Sequence, residues 1–340
     1  MDRVTKRADG AQYFITRRRA MSAMLGALVL SAAGVGNAYA DASHPVVALL
    51  PGVVDPFYFT MHHGAEKAAK EDNVQLLFQL PKSWNTTEQV PILKAFIAKR
   101  PDAILISPVD AQQLIEPLRE AKDAGIKVIT VDTYIGTGRY QTGSGNADFP
   151  LSFVASDNKE GGRIAARTLA KAVGEKGVVF CESLKPGVSS TDARVQGFTE
   201  EMKKYPNIKV LPTLYSEDDA NKAVADVSGV MAREQSLSGV FAANTFSGKG
   251  VAQAIHMAGK SGKVKLIVFD AVPGIDKDLK SGLVDYAIAQ RPADMGYYGV
   301  KFAVDAINGK TVPKEKSTGF VVMDKTNVDT PDVKQYIYSN

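Results

Sequence analysis

Six apolar runs in this 340-residue chain are each followed closely by a residue built for hydrogen bonding. Asp55 follows Val46–Leu50, Ser107 follows Ala103–Ile106, and Asp132 follows Val128–Val131. Asn244 follows Val240–Ala243, Asp270 follows Leu266–Phe269, and Gln290 follows Tyr286–Ala289. A carboxylate accepts from neighbouring hydroxyls, while an amide side chain both donates and accepts. Phe57 and Tyr58, just after Asp55, supply rings for the apolar C–H faces that a sugar also presents. Any one of these aspartates is most simply a turn or helix cap. Six such residues in one chain point instead to a hydroxyl-rich ligand.

The elements that must position them follow an α/β rhythm. Val46–Leu50 is apolar throughout, as in a strand covered on both faces. Met61, Ala65, Ala68 and Ala69 then recur at helical spacing. Helices are expected over 88–99, 111–124, 161–173, 192–204, 218–233, 248–258 and 293–307, alternating with short apolar strands. This predicts parallel sheets with helices on both faces, whose ligands lie beyond the carboxyl ends of the strands. Three stretches lack the rhythm: the glycine-rich 136–146, 184–191, and the polar 310–318. The first and third fall where the chain could pass between two lobes. Trp84 follows the strand Gln75–Gln79 and is expected either to stack on a ligand or to cover a helix end.

Residues 1–40 read as an export signal. Arg17, Arg18 and Arg19 precede the apolar run Ala20–Ala33, and Ala38-Tyr39-Ala40 supplies small residues for cleavage. The run is shorter than the roughly 20 residues of a membrane span. The arginines fit either an ordinary basic segment or, loosely, a twin-arginine signal. Without this segment the 41 basic and 37 acidic residues become 35 of each, so the charge does not point to nucleic acid. Cys181 is the single cysteine and reads as a buried strand residue. His62 and His63 are adjacent and face different ways, and no nucleophile–base pair or metal-site spacing appears. Neither a cofactor nor an enzymatic activity is therefore expected.

Over Pro45–Lys325 the chain resembles the periplasmic sugar-binding proteins of ABC importers, the group that includes the ribose-binding protein. The resemblance rests on Asp55-Pro-Phe-Tyr58 with Gly64-Ala-Glu66, Ile106-Ser-Pro108, Val131-Asp132, Ser156-Asp-Asn158 with Gly161-Gly162, Arg194-Val-Gln-Gly-Phe198, Val240-Phe-Ala-Ala-Asn244, Val268-Phe-Asp270 and Ile288-Ala-Gln290. It implies a type I periplasmic binding fold, with two α/β lobes joined by three crossings near Ala155, Gln290 and Phe320. One lobe would comprise residues 44–154 plus 291–319, the other 155–290 plus 320–338. The matching positions imply first-lobe contacts from Asp55, Phe57, Tyr58, Ser107, Asp132 and Thr133. They imply second-lobe contacts from Arg194, Asp218, Asn244 and Asp270, and a hinge contact from Gln290.

Several positions depart from the ribose pattern. Asp55 and Ser107 stand where asparagines are usual, and Thr133 stands where an arginine is usual. Asp218 falls near a normally aromatic position. Fewer donors and more carboxylates would suit a polyol or an amino sugar. The resemblance implies an exported, monomeric solute-binding protein that hands a carbohydrate to a membrane permease with a cytoplasmic ATPase. The alternatives are a sugar sensor presenting its ligand to a receptor, a regulator of the same architecture, or a sugar-processing enzyme. A regulator would need an N-terminal DNA-binding helix pair where the export signal stands.

Overall fold

The computed structural model describes residues 44–339, so the expected export signal and its cleavage near Ala40 lie outside the described residues. The chain begins a first sheet with strands β1 (Val46–Leu50), β2 (Gln75–Phe78), β3 (Ala103–Ile106), β4 (Lys127–Val131) and β5 (Ser152–Ser156). Helices α1 (Pro56–Glu71), α2 (Thr86–Lys99) and α3 (Ile115–Asp123) connect the first four. A second sheet follows through α4 (Asn158–Ala172), β6 (Gly177–Ser183), α5 (Ser189–Met202), β7 (Ile208–Val210) and β8 (Leu214–Tyr215). It continues with α6 (Ala220–Arg233), β9 (Leu237–Ala242), α7 (Thr245–Met257), β10 (Lys265–Phe269), α8 (Ile275–Ser281) and β11 (Tyr286–Ala289). The chain returns to the first sheet with α9 (Pro292–Ile307) and β12 (Glu315–Thr318), then crosses back for β13 (Val321–Met323) and α10 (Pro331–Lys334).

The first sheet has the order β12-β5-β4-β3-β1-β2 and is parallel throughout. The second runs β13-β11-β10-β9-β6-β7, with β8 also paired to β6 and only β13 antiparallel. Their central strands are buried on both faces, which is why they read as unbroken apolar runs. The chain passes between sheets after Ser156, after Ala289 and after Thr318.

Four local expectations are corrected. Helix α1 begins at Pro56 instead of Met61, so Phe57 and Tyr58 lie in its first turn; proline is pre-set for that position. The glycine-rich 136–146 joins β4 to β5 within one sheet and is therefore no crossing. The polar stretch 310–318 contains β12, an edge strand whose exposure accounts for its polarity. Short elements β8, α8 and α10 lie where no element was expected.

Close helix crossings set the lobes' geometry. A Cβ at Gly64 of α1 would lie 1.9 Å from the Ala293 carbonyl oxygen of α9. The second lobe repeats this: a Cβ at Gly162 of α4 would lie 2.0 Å from the Arg194 carbonyl oxygen of α5. The spacing of α4 and α5 therefore also sets where Arg194 stands.

Candidate functional site

Between the carboxyl ends of the two sheets lies a cleft that is partly open to solvent. Nine of the twelve residues singled out in the sequence line it: Asp55, Phe57, Tyr58, Trp84, Asp132, Arg194, Asn244, Asp270 and Gln290. The lobes meet around it. Lys185 Nζ donates to the Trp84 carbonyl at 3.1 Å, and the Tyr134 amide donates to Ser189 Oγ at 3.0 Å.

Asp132 and Asp270 are placed by the same device in each lobe. Each directly follows a central strand, β4 or β10, and each has a left-handed backbone, with φ of 63° and 80°. The amide of Asp132 donates to Val154 and that of Asp270 to Ile288, both on the neighbouring strand. Aspartate tolerates this conformation better than most side chains. The Tyr58 hydroxyl donates to Asp132 Oδ2 at 2.8 Å, while Oδ1 has no partner. Asp270 Oδ1 accepts from Gln290 Nε2 at 2.9 Å, and Gln290 Oε1 is left without a partner. Buried acceptors without donors are costly. A ligand rich in hydroxyls would satisfy both.

Asp55 is both cap and lining residue, accepting from the Phe57 amide at 2.7 Å to start α1. Burial, followed by repulsion from Asp270, pushes its carboxyl up to about 6. Burial likewise raises Asp132 to about 6, against the opposing pull of the Arg194 guanidinium. Arg194 is 3% exposed. Its Nε donates to Asn158 Oδ1 at 2.8 Å and its Nη1 to the Ala243 carbonyl at 2.7 Å. Its plane lies over Phe269, 3.8 Å from the ring centroid. With two of its five N–H groups engaged, the guanidinium keeps donors, both of Nη2 among them, for the cavity.

Trp84 satisfies its own polar atom, Nε1 donating to the Val109 carbonyl at 2.9 Å, and stacks on Tyr58 at 6.2 Å between centroids. Room for its ring comes from Gly52, where a Cβ would lie 2.1 Å from it. Tyr58 and Trp84 thus give the cavity an aromatic wall.

The other three sequence candidates stand behind the lining. Ser107 is buried next to the Tyr58 phenol. The Thr133 hydroxyl donates to the Pro108 carbonyl at 2.8 Å. Asp218 accepts from Asn244 Nδ2 at 2.9 Å and so orients a lining residue; burial raises its carboxyl to about 7. Six lining residues were not foreseen: Val53, Leu184, Val188, Ser190, Thr191 and Thr245. Leu184 to Thr191 follow β6, so the strand-end rule that found the others would have reached them.

The periplasmic binding protein domain family matches residues 46–311, and the chain belongs to it. The D-allose-binding periplasmic protein of Escherichia coli (strain K12) is 31% identical over 292 residues, covering 85% of this chain and 92% of that one. An ABC transporter solute-binding protein from Agrobacterium vitis, solved with α-D-tagatopyranose bound, is 53% identical with a TM-score of 0.86. The match covers 87% of this chain and all (100%) of that one. A second A. vitis solute-binding protein, with bound D-fucose, is 29% identical at a TM-score of 0.80, over 86% of this chain and 100% of the other. The resemblance seen in the sequence, and the type I periplasmic binding fold it implied, therefore hold. The chain is a sugar-binding component of ABC import and belongs to a family of binding proteins, not enzymes. A periplasmic location goes with that family.

Proposed function

We propose that the ligand is a neutral hexose in its pyranose form, with D-tagatose the first to test. The observation that carries this is the pair of unsatisfied acceptors, Asp132 Oδ1 and Gln290 Oε1, on residues that line one cavity with an aromatic wall. The 53% identity to a protein solved with tagatopyranose supports it. Asp55, Phe57, Tyr58, Trp84, Asp132, Arg194, Asn244, Asp270 and Gln290 would touch the sugar, with Ser107, Thr133 and Asp218 supporting them. In the same reading, cleavage near Ala40 releases a monomer that closes on its ligand and delivers it to a membrane permease with a cytoplasmic ATPase. The lobes would divide as 44–156 plus 291–319 and 157–290 plus 320–338, two residues later at the first crossing than the resemblance implies; what supports this is the pairing of β12 with β5 through Ala155 and Ser156, and of β13 with β11.

A thermal-shift series tests the ligand: D-tagatose, D-allose, D-ribose, D-glucosamine and an alditol, each at several concentrations. At about 100 times its dissociation constant, a specific ligand stabilises by about 2.7 kcal/mol. Hexoses should lead. Stabilisation by glucosamine or the alditol alone would overturn the neutral-hexose reading.

A further inference from the structure

The segment after α10 carries a second tyrosine with the geometry of Tyr58. Tyr338 is 3% exposed, and its amide donates to the Ala271 carbonyl at 2.8 Å. Its hydroxyl donates to Asp270 Oδ1 at 3.0 Å and accepts from the Gln290 amide at 2.9 Å. Asp270 is therefore held by a buried phenol, as Asp132 is held by Tyr58. A phenol so engaged has no rotational freedom left at its oxygen, which fixes the carboxylate's direction.

The same segment also touches the other lobe. The Tyr338 ring meets Phe57 of α1 edge-on at 5.7 Å. The Ser339 amide donates to Thr60 Oγ1 at 2.9 Å, and its hydroxyl lies 3.0 Å from His63 Nδ1. Phe57 lines the cavity, whereas Tyr338 does not.

We infer that Tyr338 is a positioning residue for sugar binding: it aims Asp270 and Gln290 into the cavity and, with Ser339, ties that arrangement to α1 of the opposite lobe. Tyr338 holds the second-lobe carboxylate through bonds within its own lobe, and its contact with α1 is made only when the lobes are closed, so ligand retention depends on a residue that does not line the cavity. This rests on the proposed ligand site.

The test uses the full chain and its Tyr338→Phe and Tyr338→Leu variants, with D-tagatose as probe, by calorimetry and stopped-flow fluorescence. Trp84 is the single tryptophan and lines the cavity, so its emission reports closure. Tyr338→Phe keeps the ring against Phe57 and removes only the hydroxyl. It should weaken binding at least tenfold, mostly through faster dissociation, and should lower the unliganded melting temperature less than leucine does, since only the Gln290 amide and Asp270 lose a partner. Leucine should lose as much affinity and, in addition, stability. Unchanged affinity in the phenylalanine variant, or a loss seen only with leucine, would overturn the inference. If the parent chain binds none of D-tagatose, D-allose or D-ribose, the ligand reading fails instead.

Discussion

Asp132→Asn should make the protein more stable and a poorer binder at once. Asn keeps the shape and tolerates the left-handed backbone at this position, where φ is 63°. It removes a charge that burial makes expensive. The Asp132 carboxyl sits at about 6 in the fold against an ordinary 3.8. A folded value above the unfolded one means the folded state holds the proton more tightly. The cost is therefore absent below about pH 4, grows between 4 and 6, and is complete above about 6. Two pH units correspond to about 3 kcal/mol, or roughly 5 °C for a chain of this size. The sugar loses a charged acceptor, since Oδ1 has no protein partner. That should weaken binding by about 1.5–3 kcal/mol, roughly 10- to 150-fold. Thermal unfolding at pH 4 and pH 8, with and without D-tagatose, reads both effects. A variant no more stable at pH 8 than its parent would refute the electrostatic account. Unchanged affinity would refute the assignment of Oδ1 to the ligand.

Other perturbations probe neighbouring parts of the same structure. Glu182 is fully buried on β6 with both carboxylate oxygens unpartnered, and burial lifts its carboxyl to about 8. Glu182→Gln should therefore gain about 4 kcal/mol relative to the parent between pH 5 and pH 9, measured as the difference between two denaturation curves; a pH-independent effect would contradict this. Arg194→Lys loses the fork that spans Asn158 and Ala243; calorimetry should show at least a hundredfold weaker sugar binding with the fold retained by circular dichroism. Gly162→Ala, which brings a Cβ to 2.0 Å from the Arg194 carbonyl oxygen, should push α5 away from α4 and lower both stability and affinity. The paired change Gly64→Ala at the α1–α9 crossing should mainly reduce stability, because no cavity arginine hangs on that contact.

The sequence disclosed the architecture because parallel strands covered on both faces must be apolar throughout, and the helices between them carry one apolar stripe. Residues at strand ends were legible for a related reason: an aspartate directly after Val128–Val131 or Leu266–Phe269 has little choice but the carboxyl edge of the sheet. Strand β12 was not legible, since an edge strand has one side open to water and reads as Glu-Lys-Ser-Thr. Nor could periodicity show that Asp218 lies one step behind Asn244, or that Thr133 turns its hydroxyl to Pro108. Those outcomes depend on which of several adjacent polar groups reaches the cavity, and that is decided by tertiary packing.

Asp55 shows why the structural and functional readings of a single carboxylate need not compete. It caps α1 through the Phe57 amide, which alone would explain an aspartate there. The same carboxyl lies in the cavity and is raised by burial and by Asp270 across the cleft. In the closed form these two acids repel one another, with Lys249 only partly offsetting the charge of Asp55. A sugar hydroxyl network inserted there supplies donors to both and so favours the closed form over the open one. Repulsion between Asp55 and Asp270 thus works against the lobe-bridging contacts in the empty protein, and the ligand's donors relieve it. Loading should therefore shift the balance toward the closed form, because the sugar's donors offset the repulsion between the two acids.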